Sequence, residues 1–515
     1  MSTPSRLCGQ TVRRHSPAPS RSRRSRRMAD LVRRTDSLDR RRFLSRMALL
    51  AGLPLLGAPI LSACTSGRDA TEGATWFEPK VRTSENGVLK TQLRVVDRDV
   101  ALGGGQVRAV TYEGTYPGPT LDVRPGDRIE VSLINEIDEP TNLHTHGFHV
   151  SPKAPSDDVL LAIEPGDTFD YAYDLPADHS AGTFWYHSHQ HTISDTQVFG
   201  GLFGALIVRG ELDDLPGVRG RPERLLVLSQ TQIEDGEMVP GDKSSNDLQQ
   251  TLVNGTYQPT TDIAPGEIQR WRLINASSLF LRLQLDGHPM HVIAIDGDAL
   301  TSVTAKDVVE IVPGGRADVL IEGANTGTYQ LRSLSWEEFG PFYSSMVPAA
   351  MPLLNLESTG ETQDSEPIPT ALLPFDDLRD AVIDRRREFV FEELEPRGTG
   401  DMGHFMYYIN GVMFDHHVVN ETMILGDTEE WHFVNRTYEP HPVHIHVNDF
   451  QVVAVNDEPV DEQHYRDTAM LPPFGSLTIR HRFEDFTGQF VMHCHILFHE
   501  DHGMMQLLEV VERPA

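Results

Sequence analysis

Four pairs of histidines, each separated by a single residue, give the sequence its clearest chemical signal. The pairs are His144 and His146, His187 and His189, His444 and His446, and His493 and His495. In a β-strand, residues i and i+2 point to one face and residue i+1 points to the other. Each pair would therefore direct two imidazole rings toward one place. Neutral imidazole is a common metal ligand, so the spacing predicts a shared metal site.

A second set of candidate ligands surrounds the only cysteine in the second half of the chain. Cys494 lies between His493 and His495 and would point to the opposite face of their strand. His441 precedes it by 53 residues, and His499 and Met504 follow it by five and ten. Two histidines, one cysteine and a weak axial methionine form the ligand set of a blue-copper electron-transfer site. One strand would thus connect an electron-entry site with the histidine pairs.

An internal repeat places these residues in the chain. A turn followed by a strand ends at an asparagine three times, in Pro125–Asn135, Pro265–Asn275 and Leu425–Asn435, and the spacing from glycine to asparagine is nine residues in each copy. Histidine pairs follow nine and eleven residues after Asn135 and Asn435. The same offsets after Asn275 carry Gln284 and Asp286. The middle copy therefore lacks the first pair.

The second histidine pair of each repeat follows a glycine by five and seven residues. Gly182 leads to His187 and His189, and Gly488 leads to His493 and His495, whereas Gly327 leads to Arg332 and Leu334. The two outer copies supply four pairs and the middle copy supplies none. We expect the eight histidines to meet at an interface between the first and third copies.

The segments that carry these candidate ligands are predicted to be β-strands. Short alternating runs, regular turns and few amphipathic helical stretches favour an all-β fold of three tandem Greek-key β-sandwich domains. We predict domains at 76–212, 220–356 and 380–515, the middle one a spacer without metal ligands. The polar segment Glu357–Pro369 is predicted to be the second linker.

The N-terminal segment carries features of export and lipid-anchoring signals. Arg40–Leu44 resembles a twin-arginine export signal, the apolar run Met47–Leu61 is short for a membrane span, and Leu61–Cys64 resembles a lipobox. We expect residues 1–63 to be a signal segment and Cys64 to carry lipid on the outer face of the cytoplasmic membrane, in the periplasm or at the cell surface. The alternative is a basic disordered tail before a poor signal anchor.

Composition limits the partners. The formal net charge is −30, and removing the arginine-rich residues 1–63 makes the remainder more acidic still. Such a surface disfavours nucleic acid and anionic lipid and attracts cations. We therefore expect no nucleic-acid partner, contact with a membrane only through Cys64, and a monomer. After processing, Cys494 would be the single free thiol.

Across 76–515 the chain resembles a three-domain multicopper oxidase of the laccase type. The matching segments are His144–Gly147, Trp185–His189, His441–His446 and His493–Met504. The resemblance implies cupredoxin-like domains and four copper ions. It implies a type 1 copper at His441, Cys494, His499 and Met504, and a type 2 copper at His144 and His444. It also implies two type 3 coppers, one at His189, His446 and His493 and the other at His146, His187 and His495.

The resemblance also implies the reaction. Four one-electron oxidations of a donor at the type 1 copper would be coupled to the four-electron reduction of O2 to water at the trinuclear cluster. The family places two carboxylates near that cluster to supply protons, and the matching residues are Glu500 and Asp157, with Asp158 as the alternative to Asp157. The competing hypothesis is a copper-binding or copper-homeostasis protein with the same fold and little turnover.

The electron donor stays open between small phenolic or other aromatic compounds and metal ions. A methionine-rich stretch comes just before the metal ligands of the third domain: Met402, His404, Met406 and Met413. Methionine thioethers are suitable ligands for Cu(I). Such residues also often serve only to pack the core. Asp449, three residues after His446, is a candidate acid on the donor side or a turn residue.

Overall fold

The computed structural model describes residues 76–239, 249–336, 350–394 and 406–514. The expected signal segment and Cys64 lie outside the described residues, as do Met402 and His404. Strands form almost all of the regular structure, and the α-helices of the described ranges have four to seven residues. In these ranges no helix combines the length and apolar character needed to cross a membrane.

The first domain stacks two sheets around the apolar core that contains Leu93, Val131 and Tyr171. Its strands are β1 (Val81–Thr83), β2 (Val88–Leu102), β3 (Gly105–Tyr112), β4 (Thr120–Val123), β5 (Arg128–Asn135), β6 (His144–His146), β7 (Thr168–Asp174), β8 (Thr183–His187) and β9 (Phe203–Val208). The helices are α1 (Ser194–Gly200) and α2 (Glu211–Asp214). The order β1-β4-β9-β8-β6 forms one sheet, and β3-β2-β5-β7 forms most of the other.

The middle domain has the same two-sheet plan. Its strands are β10 (Glu223–Thr231), β11 (Ile233–Glu234), β12 (Glu237–Met238), β13 (Gln250–Val253), β14 (Thr260–Ile263), β15 (Ile268–Ala276), β16 (Leu281–Leu285), β17 (Met290–Ile295), β18 (Asp298–Lys306), β19 (Val309–Ile311), β20 (Arg316–Glu322), β21 (Gly327–Ser333) and β22 (Met351–Ser358). The sheets run β13-β10-β15-β20-β17-β18 and β14-β22-β21-β16-β19. The hairpin β11–β12 joins the first domain instead, where Glu237 pairs with Arg108 of β3.

The third domain repeats the plan again. Its strands are β23 (Arg385–Leu394), β24 (Met406–Ile409), β25 (Val419–Ile424), β26 (Thr428–Asn435), β27 (His441–Ile445), β28 (Phe450–Val455), β29 (Glu458–Pro459), β30 (Thr468–Leu471), β31 (Ser476–Arg482), β32 (Gly488–Cys494) and β33 (Met505–Val511), with helix α3 (Leu497–Asp501). The sheets run β24-β23-β26-β31-β28-β29 and β25-β33-β32-β27-β30. The predicted all-β fold of three tandem sandwiches is confirmed, while the domain boundaries stay predictions.

The sequence repeat corresponds to one structural unit in each domain. Gly126, Gly266 and Gly426 all have positive φ, near +82°, +73° and +88°, which the turn before each repeat strand requires. The strands that follow are β5, β15 and β26. In β5 buried and half-buried residues alternate, as a strand with one covered face should, but every residue of β15 is buried. The outer face of β15 is covered because Arg272 contacts Thr183 of the first domain.

Candidate metal centres

Two pairs of neighbouring strands carry the histidines predicted from the sequence. In the first domain β6 runs antiparallel to β8, with His144 opposite His187. In the third domain β27 runs antiparallel to β32, with His444 opposite His493. The remaining four histidines lie at or directly after the ends of these strands. We call the eight side chains the histidine cluster, and none is more than 2% exposed: His144, His146, His187, His189, His444, His446, His493 and His495.

The histidine cluster is shared between the first and third domains. The rings of His144 and His446 stack with their centroids 3.8 Å apart, and those of His146 and His444 stack at the same distance. The pair His144/His146 of the first domain therefore interleaves with the pair His444/His446 of the third. The structure brings together all eight residues that the repeat analysis singled out, at the interface where it expected them.

Ring nitrogens converge within the cluster. His493 Nε2 lies 3.2 Å from both His189 Nε2 and His446 Nε2. Ligand atoms also lie within 4.8 Å of one another in the group of His144, His146 and His187 and in the group of His144, His444 and His446. Several imidazole nitrogens that point at one another need a proton or a cation between them, because two lone pairs cannot form a hydrogen bond. The arrangement has the geometry of a metal centre.

Unsatisfied nitrogen atoms test whether the residues fit metal ions. In six histidines of the cluster, one ring nitrogen or both make no hydrogen bond to the described residues: His144 Nε2, His146 Nδ1, His187 Nε2, His444 Nε2, His446 Nδ1 and both nitrogens of His495. A buried polar atom without a partner costs about 1–3 kcal/mol. Metal coordination would use these lone pairs, so the donor set fits.

Burial also keeps these rings neutral, as metal ligation requires. Burial and the neighbouring His189 lower the pKa of His187 to about 3. Burial is also the largest cause that lowers the pKa of His189 to about 4, although Glu500 opposes it. Unprotonated imidazoles are the form that binds a metal ion, so protons do not compete for these sites near neutral pH.

Hydrogen bonds on the outer side of the cluster fix which nitrogen each ring presents. Nδ1 of His187 lies 2.8 Å from the carbonyl oxygen of Ser188, and Nδ1 of His444 lies 2.9 Å from that of Asp467. Each ring therefore donates Nδ1–H outward and leaves Nε2 free. Such outer contacts orient ligands and tune their basicity.

The two predicted carboxylates both reach the histidine cluster. Asp157 Oδ2 lies 2.8 Å from His144 Nδ1, and its other oxygen accepts a hydrogen bond of 2.9 Å from the Thr145 amide. Burial raises the pKa of Asp157 to about 7, against the lowering effect of the Thr145 contacts. Asp158, the alternative, is half-buried and accepts from the amide of Leu160 in its own loop.

Glu500 contacts the cluster from helix α3. Its Oε2 lies 3.0 Å from His493 Nδ1, and its Oε1 lies 3.5 Å from His189 Nε2. The side chain is fully buried. Burial alone would raise the pKa of Glu500, but His189 and His493 together lower it well below its usual range. Glu500 is therefore ionised and lies beside two rings of the cluster, where its carboxylate can accept a proton and pass it on.

Cys494 and its predicted partners form a separate group, the cysteine site, within the third domain. Cys494 Sγ lies 3.5 Å from His441 Nδ1 and 3.7 Å from His499 Nδ1. Met504 belongs to the same buried cluster of side chains. Burial raises the pKa of the Cys494 thiol well above its usual range, so ionisation requires a cation such as a coordinated metal.

One edge of the cysteine site approaches the protein surface. Glu439 Oε2 lies 3.3 Å from His499 Nε2, and its side chain is 14% exposed. The ring of Tyr407 stacks on His499 with centroids 4.0 Å apart. Burial, helped by Glu393, raises the pKa of Glu439 to about 8. Sequence reasoning missed Glu439; its position two residues before the ligand motif at His441 is the signal that could have found it.

The other donor-side candidates lie in different places. Met406 is exposed at the start of β24, while Met413 packs against Gly503, next to Met504. Asp449 does not lie at the cysteine site: its electrostatic neighbours are Asp467, Asp298 and Arg316, on the side of the histidine cluster that faces the middle domain. Of the two alternatives left open for Asp449, these neighbours therefore do not support the donor-side acid.

The middle domain also reaches the histidine cluster, which the sequence did not predict. Asp467 Oδ1 lies 2.9 Å from His146 Nε2 and accepts a bond of 2.8 Å from Arg316 Nη1 of β20. Burial would raise the pKa of Asp467, but Arg316 and then His146 lower it well below its usual range. The charged residues Arg316 and Asp318, which alternate with apolar residues in β20, were the available signal.

Comparison with known proteins identifies the family. Three family models, each described as multicopper oxidase, match residues 94–213, 227–340 and 392–514. The chain belongs to the multicopper oxidase family. It is therefore an oxidase with copper as cofactor, and it couples oxidation of a donor to reduction of O2.

Individual multicopper oxidases are similar over most of their length. The multicopper oxidase mco of Staphylococcus haemolyticus is 27% identical over 420 residues, which cover 78% of this chain and 83% of that protein. Multicopper oxidase MmcO of Mycobacterium tuberculosis is 26% identical over 534 residues, covering 94% and 100%. The structure of a Campylobacter jejuni multicopper oxidase, described as a metallo-oxidase, superposes with a TM-score of 0.75 at 26% identity, covering 86% of this chain and 96% of that one.

Proposed function

We propose that this oxidase holds four copper ions, one in the cysteine site and three in the histidine cluster, and that it reduces O2 to water with electrons taken singly from a donor. The observation that carries the proposal is the position of Cys494. Its Sγ faces His441 and His499, while its neighbours in the chain, His493 and His495, belong to the histidine cluster. A single peptide segment therefore connects the two sites.

The ligand assignment is the one that the resemblance to multicopper oxidases implies, and the nitrogen geometry is compatible with it. His144 and His444 would hold a type 2 copper; both leave Nε2 free and bond outward through Nδ1. One type 3 copper would take His189, His446 and His493, whose Nε2 atoms converge. The other would take His146, His187 and His495, which carry free ring nitrogens. His441, Cys494, His499 and Met504 would hold the type 1 copper.

When bound, copper supplies the one-electron redox changes that no side chain here can provide. The protein fixes the neutral form and orientation of each ring and keeps bulk water out of the buried cluster. Reduction of one O2 to two waters consumes four electrons and four protons. Protons must therefore be delivered into a site whose histidines are neutral ligands.

Glu500 and Asp157 are proposed to hold and pass these protons. Glu500 lies within 3.0 Å of His493 and 3.5 Å of His189, on one side of the cluster. Asp157 lies within 2.8 Å of His144, on the type 2 side. Buried carboxyl groups at hydrogen-bonding distance from the reacting region are suited to general acid catalysis.

Donors are proposed to approach the edge formed by His499, Tyr407 and Glu439. The stacked, buried rings of His499 and Tyr407 offer a route for electrons from the surface to the cysteine site. Glu439, whose pKa of about 8 leaves it ionised at higher pH or beside a cation, can then accept a proton from a phenol or bind a metal ion. Both donor classes, small aromatic compounds and metal ions such as Cu(I), therefore suit this edge.

Copper loading followed by O2 uptake tests the proposal. The protein is loaded with copper without oxygen, and metal content, visible absorbance and electron paramagnetic resonance are measured. We expect four coppers per chain, an intense blue band and a separate type 2 signal. O2 uptake is then measured with a phenol and with Cu(I). A full copper load without a blue band, or uptake with neither donor, contradicts the proposal.

We also propose that the chain is exported by the twin-arginine route and anchored as a monomer through lipid on Cys64. Support comes from the order of signals in residues 1–63. Stable anchoring requires more than one acyl chain. The protein should partition into detergent, and Cys64→Ala should yield a soluble, active enzyme that runs as a monomer in light scattering. Finding the wild-type protein entirely in the soluble fraction contradicts the anchor.

A further inference from the structure

We infer that Arg316 of the middle domain is a positioning residue for the copper ligands: by holding the Asp467 carboxylate, it sets which ring nitrogen His146 presents to the metal and keeps His444 in register. The inference rests on the proposed copper assignment and deepens it. The middle domain, which the sequence predicted to be a spacer, would then help to orient the copper ligands.

His146 presents a different nitrogen from its counterparts. His144, His187, His444 and His493 each place Nδ1 against an outer oxygen. In His146 the outer contact is made by Nε2 instead, which lies 2.9 Å from Asp467 Oδ1. Its Nδ1 makes no hydrogen bond to the described residues and is therefore the nitrogen that faces the cluster. A half-turn of this ring about its Cβ–Cγ bond would put a carbon atom where Nδ1 now lies. The contact with Asp467, together with Thr468 Oγ1 at 3.3 Å from the same Nε2, therefore selects the coordinating atom.

The same carboxylate also reaches His444, a candidate type 2 ligand. Asp467 Oδ1 lies 3.3 Å from His444 Nδ1, and Thr468 Oγ1 lies 3.1 Å from that nitrogen. One aspartate thus touches a ligand from each outer domain. Its orientation controls two rings whose planes stack 3.8 Å apart.

Arg316 fixes that orientation through contacts in all three domains. Its Nη1 donates to Asp467 Oδ1 at 2.8 Å and its Nη2 donates to Oδ2 of the same carboxylate. Nη2 also donates to the Asp296 carbonyl at 2.7 Å, and Nε donates to the Thr183 carbonyl at 3.2 Å. The paired bonds to one carboxylate define the plane of both groups, which a lysine cannot do.

The packing around Arg316 leaves little freedom. A Cβ at Gly147, directly after His146, would lie 2.4 Å from Arg316 Nη2. A Cβ at Gly314, two residues before Arg316, would lie 2.9 Å from the His495 ring and 3.0 Å from the His146 ring. Backbone of the middle domain therefore lies directly against two rings of the histidine cluster. A shift of β20 would be transmitted to the ligands.

Arg272 of β15 supplies a matched control. It is as deeply buried as Arg316, and it also bridges the first and middle domains, through Thr183 Oγ1 at 3.1 Å and Asp318 at 3.0 Å. Its other carboxylate partners are Asp213 and Glu223. Arg272→Met removes a buried ionic contact between domains without touching Asp467.

The test compares full-length, copper-loaded Arg316→Met, Arg316→Lys and Arg272→Met with the wild-type enzyme. Loss of an outer partner of a metal ligand typically weakens metal affinity about 10- to 100-fold. We expect Arg316→Met to lose copper from the histidine cluster to a chelator about 10- to 100-fold more readily, with an altered type 2 resonance signal through His444 and an unchanged blue band. Arg316→Lys should give an intermediate shift, and Arg272→Met should keep the wild-type signal even if its thermal midpoint falls.

A wild-type type 2 signal and wild-type copper retention in Arg316→Met would overturn the inference, as would an equal loss in Arg272→Met. If Arg316→Met does not fold, an unshifted signal in Arg316→Lys overturns it. Failure of the proposed function is recognised separately, because the wild-type enzyme itself would then lack copper in the histidine cluster.

Discussion

The middle domain and the outer domains carry the same strand pairs but different chemistry at the same positions. His144 lies opposite His187 in the first domain and His444 opposite His493 in the third, and in the middle domain the equivalent pair is Gln284 opposite Arg332. Arg332 forms an ion pair with Asp286, and both side chains are more than a third exposed. The sandwich therefore provides the positions, and the side chains with their burial decide whether a metal centre forms.

The difference teaches how an interface creates the centre. In the outer domains the paired positions face each other across a buried boundary, where water cannot satisfy the ring nitrogens. In the middle domain the same positions face solvent, where an ion pair is adequate. That domain reaches the histidine cluster from another place, the turn at Gly314 and the first residue of β20, Arg316.

Replacing Cys494, which has no counterpart in the other two domains, should have the largest effect on activity. The positions equivalent to Cys494 in the first and middle domains carry Ser188 and Ser333, so Cys494→Ser gives the third domain the residue that its sister domains already have. Serine has nearly the same size but no soft sulfur ligand. We expect the blue band to disappear and donor oxidation to fall to background. Absorbance, copper analysis and O2 uptake measure these effects.

The histidine cluster should still bind copper in Cys494→Ser, because its ligands are unchanged. Ser333→Ala in the middle domain is the matched control and should keep both colour and activity. A blue band that survives in Cys494→Ser contradicts the assignment of the cysteine site.

Glu500→Gln should give the next largest effect. Glutamine keeps the size and hydrogen bonding of the side chain but cannot ionise. We expect an unchanged copper count and blue band, little change in reduction by the donor, and turnover reduced about 10²-fold or more, the scale for a lost general acid. Stopped-flow reoxidation of the fully reduced enzyme by O2 is the measurement. Reoxidation at the wild-type rate across pH contradicts the proton-relay role.

The repeat made the fold and most of the site predictable. Four of the eight histidines were found from their offsets after Asn135 and Asn435, and the other four from their offsets after Gly182 and Gly488. Cys494 was found because strand alternation separates it from its neighbours. These signals are local, since each depends on spacing within one domain.

Contacts between domains left no such signal. Arg316 and Asp467 are 151 residues apart and meet only when the middle and third domains pack together. Asp449 was left open between two roles for the same reason: its distance along the chain from His446 says nothing about which neighbouring domain covers it. Charged residues within buried strands were the available clue, but they identify a contact without naming its partner.

Asp157→Asn should have a smaller effect than Glu500→Gln. Asp157 contacts one ring of the cluster, that of His144, whereas Glu500 lies near two. We expect turnover to fall about 10- to 100-fold, the range for a lost outer partner of a metal ligand. Combined with Glu500→Gln, the losses should not add, because both acids would serve one proton supply. Asp158→Asn is the control and should leave turnover unchanged. An equal loss in Asp158→Asn contradicts the choice of Asp157.

Asp286→Ala tests the middle domain, whose paired positions carry no metal ligands, and should have the smallest effect. Asp286 occupies in the middle domain the position that His146 occupies in the first, but its ion pair with Arg332 is more than a third exposed. Solvent screens such pairs, so their loss changes the free energy of unfolding by about 0–1 kcal/mol. Copper content, the blue band and O2 uptake should match those of the wild-type enzyme, and denaturant unfolding should detect the small change in stability. Arg332→Ala should behave alike, because each variant removes the same exposed contact. A loss of copper in either variant would mean that the middle domain's paired positions still influence the histidine cluster, and the distinction drawn between buried and exposed positions would then be wrong.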